Sequence, residues 1–131
     1  MSNKIDKILA EISAGELFDK ITILEIKKAK ISNKEKLIDI NKELSSLNET
    51  VKKFIPDQSS VSKYINDLKN INLKLWDIED GKRAAEKNQD FGKKFIELAR
   101  NVYKFNDERA KIKLAINIEV GSNIKEVKSY E

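Results

Sequence analysis

The stretch Phe91–Asn117, FGKKFIELARNVYKFNDERAKIKLAIN, decides the fold. It contains no proline, and its one glycine, Gly92, lies in the first turn. Phe91, Phe95, Leu98, Val102, Phe105, Ile112 and Ile116 recur at steps of three, four or seven, the period of one helix face. Arg109 falls on that apolar stripe, where Leu or Ile is expected. Beside it runs a second stripe of Tyr103, Asn106, Ala110, Lys113 and Asn117. A face that starts aromatic and ends polar predicts a core closing at one end onto a charged site.

The same period runs through the segments upstream. Ile5, Ile8, Leu9 and Ile12 have helical spacing after Ser2 and Asn3, which predicts a short first helix. Ser13-Ala14-Gly15-Glu16 is a capping-box pattern, so a new helix is expected from Ala14 to about Ile31. A single helix running from Lys4 to Ile31 through Gly15 is the alternative. Leu17, Phe18, Ile21, Ile23, Leu24 and Ile26 cover more than half the circumference of the capped helix, which should make it the most buried element. Ser32-Asn33 opens another helix, with Leu37, Ile40, Leu44, Leu47, Val51 and Phe54 on its apolar side. It should end before Pro56, the only proline. Val61, Tyr64, Leu68, Ile71, Leu75 and Ile78 carry a third long helix to about Glu86, with Gly81 inside it. Asn88-Gln89-Asp90 breaks it, Gly121-Ser122-Asn123 is a turn, and a short tail follows.

These elements predict an all-α fold: an elongated antiparallel bundle of three to four long helices with a short N-terminal helix, in one domain over residues 1–131, of which 121–131 form the tail. Connections are short, so successive helices should be antiparallel neighbours. Long helical stripes on so small a chain, coiled-coil-like in pattern, also predict a homodimer.

Composition narrows the chemistry. Charged residues make up 37%, against a typical ~25%, and 40% are hydrophobic, which favours amphipathic helices over disorder. There is no cysteine and no histidine, which removes disulfides, thiolate or imidazole metal sites and His-based acid–base catalysis. No metal and no cofactor is expected; a metal, if bound, would be a hard cation on carboxylates. No apolar run approaches the ~20 residues of a membrane helix, and no secretory segment is visible. A cytoplasmic protein without membrane partners is expected. The net charge of +4 comes from lysines spread along the chain, without aromatic interleaving, so nucleic-acid binding is not expected. Of 26 basic residues 3 are Arg, which singles out Arg83 and Arg109 as positions suited to bidentate carboxylate or phosphate contacts.

Three charged constellations follow from helical spacing. Glu79, Arg83 and Glu86 share a face of the third helix, with Trp76 and Asp80 overlapping it. Asn106, Arg109, Lys113 and Asn117 share a face of the last helix, with Asp107 adjacent. Glu16, Lys20 and Lys27 line the capped helix, with Asp19 and Glu25 nearby. Each set could be a solvated ion-pair ladder worth ~0.2–0.5 kcal/mol per pair. Arg109 argues for more, because a cation on an apolar stripe needs an anionic partner to offset desolvation.

The phrases GELFDKITILEIKKAKI (15–31), LKLWDIED (73–80), KFIELARNVYKFNDERAKIKLAIN (94–117) and GSNIKEVKSY (121–130) resemble a small bacterial and phage family known only as a domain of unknown function. The resemblance covers most of the chain except residues 34–61. It singles out Gly15, Glu16, Asp19, Lys20, Glu25, Lys27, Trp76, Glu79, Asp80, Arg83, Asn106, Asp107, Arg109, Lys113 and Asn117, while Gly81 departs from the pattern. Members stand alone or are attached to sugar-transferase and polysaccharide-synthesis modules, which implies a carbohydrate-pathway setting and no particular reaction.

Two functions of different class are expected from this. In the first, Lys20, Arg83, Asn106, Arg109, Lys113 and Asn117 bind an anionic small molecule, a phosphosugar, nucleotide-sugar or carboxylate, between helices. Glu16, Asp19, Trp76, Glu79, Asp80 and Asp107 would support them. In the second, the same charges are ion pairs of a non-enzymatic dimerisation or interaction module. Two enzyme readings stand further back. Helical chorismate mutases use Arg, Lys and Glu around a dicarboxylate, but lysines stand here where arginines are expected. Mg²⁺-dependent nucleoside triphosphate pyrophosphohydrolases use paired carboxylate motifs, of which Glu16-x-x-Asp19 supplies half.

Overall fold

A computed structural model describes residues 4–127. Its described elements are four helices: α1 (Ala14–Lys30), α2 (Lys34–Phe54), α3 (Ser62–Lys87) and α4 (Lys93–Val120). No strand occurs among the described residues, so the architecture is the expected all-α bundle. The tail beyond residue 127, and the Ser2 and Asn3 expected to open a first helix, lie outside the described residues.

The boundaries follow local chemistry. Ser13 caps α1, its Oγ accepting from the Glu16 N–H at 3.0 Å. Asn33 caps α2 in the same way through the Lys36 N–H at 3.0 Å. α2 stops at Phe54, two residues short of Pro56, as the ring requires. The α3–α4 turn is pinned by Asp90, whose Oδ1 accepts from the Gly92 N–H at 3.2 Å. α4 runs one turn further than Asn117 and ends at Gly121, which is left-handed at φ 67°. There Ser122 N–H reaches the Asn117 carbonyl at 2.8 Å and Gly121 N–H reaches that of Ile118 at 3.2 Å, a Schellman closure.

α1 is the middle layer. It packs against α2 on one side and against both α3 and α4 on the other, while α3 and α4 form the long hairpin. Ala14, Leu17, Phe18, Ile21 and Leu24 of α1 join Ile40, Leu44, Val51, Val61, Leu68 and Ile116 in the core. The broad apolar arc of α1 is thus buried by neighbours on two sides, as its sequence predicts. Inside the hairpin, an added Cβ on Gly81 would sit 3.0 Å from Leu98 Cδ1, so this glycine lets α3 and α4 approach closely.

One expected element is absent. Residues 4–13 are not helical, and neither the separate first helix nor the continuous Lys4–Ile31 helix forms. Ile5, Ile8 and Leu9 are 79%, 80% and 88% exposed. The spacing is helical, but an isolated helix of that length is below what water alone sustains, and among the described residues nothing covers its apolar face.

Candidate functional site

α1 and α4 meet through a ladder whose rungs are the motif residues. At the first rung an added Cβ on Gly15 would stand 2.5 Å from the Lys113 carbonyl oxygen, so the α1 backbone lies directly on that of α4. Gly15 N–H donates to Asn117 Oδ1 at 2.6 Å, and Asn117 is fully buried. At the second rung Lys113 Nζ donates to Glu16 Oε2 at 2.7 Å, and Lys20 approaches Glu16 from the solvent side at 3.7 Å. At the third rung Arg109 clamps Asp19 in bidentate fashion, Nε to Oδ1 at 2.9 Å and Nη2 to Oδ2. Asp19 is 1% exposed. Its Oδ1 also accepts from Asn72 Nδ2 at 3.0 Å, and the same Nδ2 lies 3.0 Å from Thr22 Oγ1. This rung therefore ties α1, α3 and α4 together.

The spacing explains the sequence pattern. Arg109, Lys113 and Asn117 repeat at i, i+4 and i+8 along one face of α4. Facing them are Asp19, Glu16 and Gly15 in the opposite order. Glu16 does not complete a reciprocal capping box; its carboxylate is turned to Lys113 and Lys20 instead. The hydrogen bonds to Asp19 raise the Arg109 pKa first; burial opposes them, and the charges of Asp19 and Glu16 add to the rise. Arg109 stays fully charged.

The N-terminus of α1 is closed by the chain's other end. Ala14 N–H donates to Ser122 Oγ at 3.1 Å, Ser13 Oγ donates to Glu126 Oε1, and Asn117 Nδ2 donates to Glu126 Oε2 at 3.1 Å. Together with the Ser13 and Asn117 caps, these satisfy the leading N–H groups of α1. Burial pushes the Glu126 carboxyl up, but hydrogen bonds from Ser13, its own backbone and Asn117, with the Lys113 charge, outweigh it and hold the pKa below its usual value. A carboxyl lowered in the folded state stabilises the fold above its unfolded pKa, ~4.3 for Glu, and loses that contribution as pH falls through the folded value. Urea denaturation should therefore show the native chain more stable than Glu126→Gln at pH 7. The gap should narrow as pH falls below ~4.3 and close once pH is under the lowered folded value; a gap that persists at the acid limit would mean the carboxylate charge is not what the contacts read.

The structure brings together Glu16, Asp19, Lys20, Asn106, Arg109, Lys113 and Asn117, with Asn106 Oδ1 accepting from Arg109 Nη1 at 3.3 Å. It does not bring Arg83, Glu79 and Asp80 to the same place. Arg83 lies about three turns, ~16 Å, along α3 from Asn72, the α3 residue that reaches Asp19. Glu79 is paired with Lys82 at 3.3 Å on an exposed surface, Asp80 is exposed, and Trp76 is half-buried between the two regions. The expected convergence of both arginines is corrected on this point: α1 crosses the hairpin at the level of Asn72, so the later turns of α3 lie away from the ladder.

Beside the ladder α4 borders a shallow, open groove of about 560 Å³. Asn106, Asp107, Arg109 and Lys113 form its polar side, and Val102, Tyr103 and Ala110 its apolar side. Sequence reasoning missed Asn72, Thr22, Ser122 and Glu126. Asn72 carried a signal, a polar side chain on an apolar stripe like Arg109; the hydroxyls of Thr22 and Ser122 and the Glu126 carboxylate carried none, because their partners across the bundle lie 50, 108 and 113 residues away along the chain. Among the described residues no group of three or more potential metal ligands clusters, no buried side-chain nitrogen or oxygen lacks a hydrogen-bond partner, and no helix is long and apolar enough to cross a membrane.

A family model described as a family of unknown function (DUF6165) matches residues 8–131. No curated protein matches the chain, and no solved structure does.

Proposed function

The chain belongs to this family of unknown function, and we propose that it works as a helical assembly module in which the charged motif is a structural latch. One observation carries the reading: the cations of the motif already have their anions. Arg109 is matched to Asp19, Lys113 and Lys20 share Glu16, and the Glu126 carboxylate also feels the Lys113 charge, so three carboxylates offset the three cations. Its geometry instead fixes the register of α1 on α4 and holds the segment after α4 against the N-terminus of α1. The α3–α4 hairpin is left long and accessible. A second copy is one partner for it; following the resemblance, a sugar-transferase or polysaccharide-synthesis module is another to test. The Mg²⁺-hydrolase and mutase readings lose support, because Glu16 and Asp19 are committed to Lys113 and Arg109.

The anionic-ligand reading keeps one observation in its favour. Arg109 has five N–H donors, of which Nε, Nη2 and Nη1 each place one, so two remain beside the groove. A phosphate or carboxylate would have to compete there with Asp19. Light scattering and a thermal-shift screen with inorganic phosphate, a nucleotide-sugar and a dicarboxylate separate the readings. A ligand at a hundred times its Kd adds ~2.7 kcal/mol, several degrees in Tm. Assembly predicts a defined oligomer and no such shift. A monomer stabilised by one of these anions, with the effect lost in Arg109→Lys, would establish the ligand reading in its place.

A further inference from the structure

We infer, building on the assembly reading, that the outer face of α4 is the interface with a second copy of this chain, the two α4 helices pairing antiparallel about Tyr103. Ile96, Tyr103 and Leu114 are 49%, 57% and 41% exposed. At 3.6 residues per turn their spacings of seven and eleven place them within ~20° of one line along the helix. That line is opposite the stripe of Leu98, Phe105 and Ile112, which faces the rest of the chain. α4 is therefore apolar on two opposite faces, and its own α1 and α3 cover one of them. With Ile118, also exposed, the open stripe runs ~33 Å. Large exposed apolar side chains aligned along one helix face, rather than scattered singly, mark an interaction surface.

The stripe is complementary to itself. A two-fold axis through Tyr103 sets the large Ile96 opposite the small Ala110 of the partner subunit, and the reverse at the other end. The same axis brings Arg100 to within one residue's rise, ~1.5 Å, of the level of the oppositely charged Asp107 of the partner subunit, on the same flank and twice by symmetry. Size and charge thus both match in the antiparallel register. A parallel pairing would instead set Ile96 on Ile96 of the partner subunit and like charges on like. An interface of this kind is isologous and closes at two copies.

The chain has no cysteine, so single-cysteine variants report only the contacts they are built to test. A mixture of Ile96→Cys and Ala110→Cys chains should form a disulfide-linked heterodimer on mild oxidation. Tyr103→Cys should link to itself. Ile96→Cys alone should not, because the two-fold separates it from its own counterpart by ~20 Å. By light scattering the native chain should have the dimer mass and Tyr103→Lys the monomer mass, with unchanged helical circular dichroism. Self-linking of Ile96→Cys, or no link in the mixture, would overturn the register. A Tyr103→Lys dimer would overturn the interface while leaving assembly intact. A native chain that remains monomeric would overturn the inference and leave the assembly reading to rest on a different partner.

Discussion

Replacing Asp19 by alanine is expected to destabilise the fold by about 2–4 kcal/mol and lower Tm by roughly 10 °C. The carboxylate is 1% exposed and accepts from Arg109 Nε, Arg109 Nη2 and Asn72 Nδ2. Its loss leaves Asn72 with Thr22 alone and strips the guanidinium of its counter-charge where burial still disfavours the cation. Removing one partner of a buried pair costs more than the pair is worth, because the survivor keeps its desolvation penalty. The Arg109 side chain is 29% exposed, so water recovers part of that penalty, which places the expected value below the upper limit for a fully buried pair. Asp19→Asn should cost less, since the amide oxygen still accepts from Asn72. Urea denaturation of the three proteins checks both the size and the order.

Gly15→Ala is expected to cost about 2–3 kcal/mol despite the helix propensity of alanine, which favours the change by up to ~1 kcal/mol. Its Cβ would lie 2.5 Å from the Lys113 carbonyl oxygen, 2.9 Å from the carbonyl carbon and 3.0 Å from Asn117 Oδ1. Two of these are backbone atoms of a helix, which no rotamer change can move. α1 must lift away from α4, and the 2.6 Å hydrogen bond from Gly15 N–H to Asn117 goes with it. Gly92→Ala is the control: its Cβ would meet Asp90 Oδ1 at 3.4 Å, an ordinary contact, and the loss should stay below ~1 kcal/mol, the cost of alanine at the N-cap of α4. Equal losses at the two positions would show that the close approach of α1 and α4 is not tight in solution.

How far the sequence was legible differs between the helices and the site. α1 through α4 could be read because each carries a full apolar face over several turns and ends in a local signal: Ser13, Asn33, Pro56, Asp90 or Gly121. Residues 4–12 misled because periodicity reports what a helix would bury, not whether a neighbour exists to bury it. The ladder was half legible. Arg109 announced itself by interrupting an apolar stripe, and Glu16, Asp19, Lys113 and Asn117 by their helical spacing. Which carboxylate met which cation depended on the crossing of α1 over α4, set by Gly15, and no spacing within one helix encodes that. Composition sets Arg83 beside Arg109, but scarcity of arginine carries no information about distance along α3.

The latch is the point at which fold and proposed function join. It holds α1 against the α3–α4 hairpin, so the outer face of α4 stays open to a partner. A double-mutant cycle of Asp19→Ala and Arg109→Ala, read by urea denaturation, tests it most directly. The latch predicts that the double variant loses less than the two single losses combined, by about 1.5–3 kcal/mol. Losses that add to within ~0.5 kcal/mol would contradict it, and with it the view that the charged motif of this chain is there to hold the helices in register.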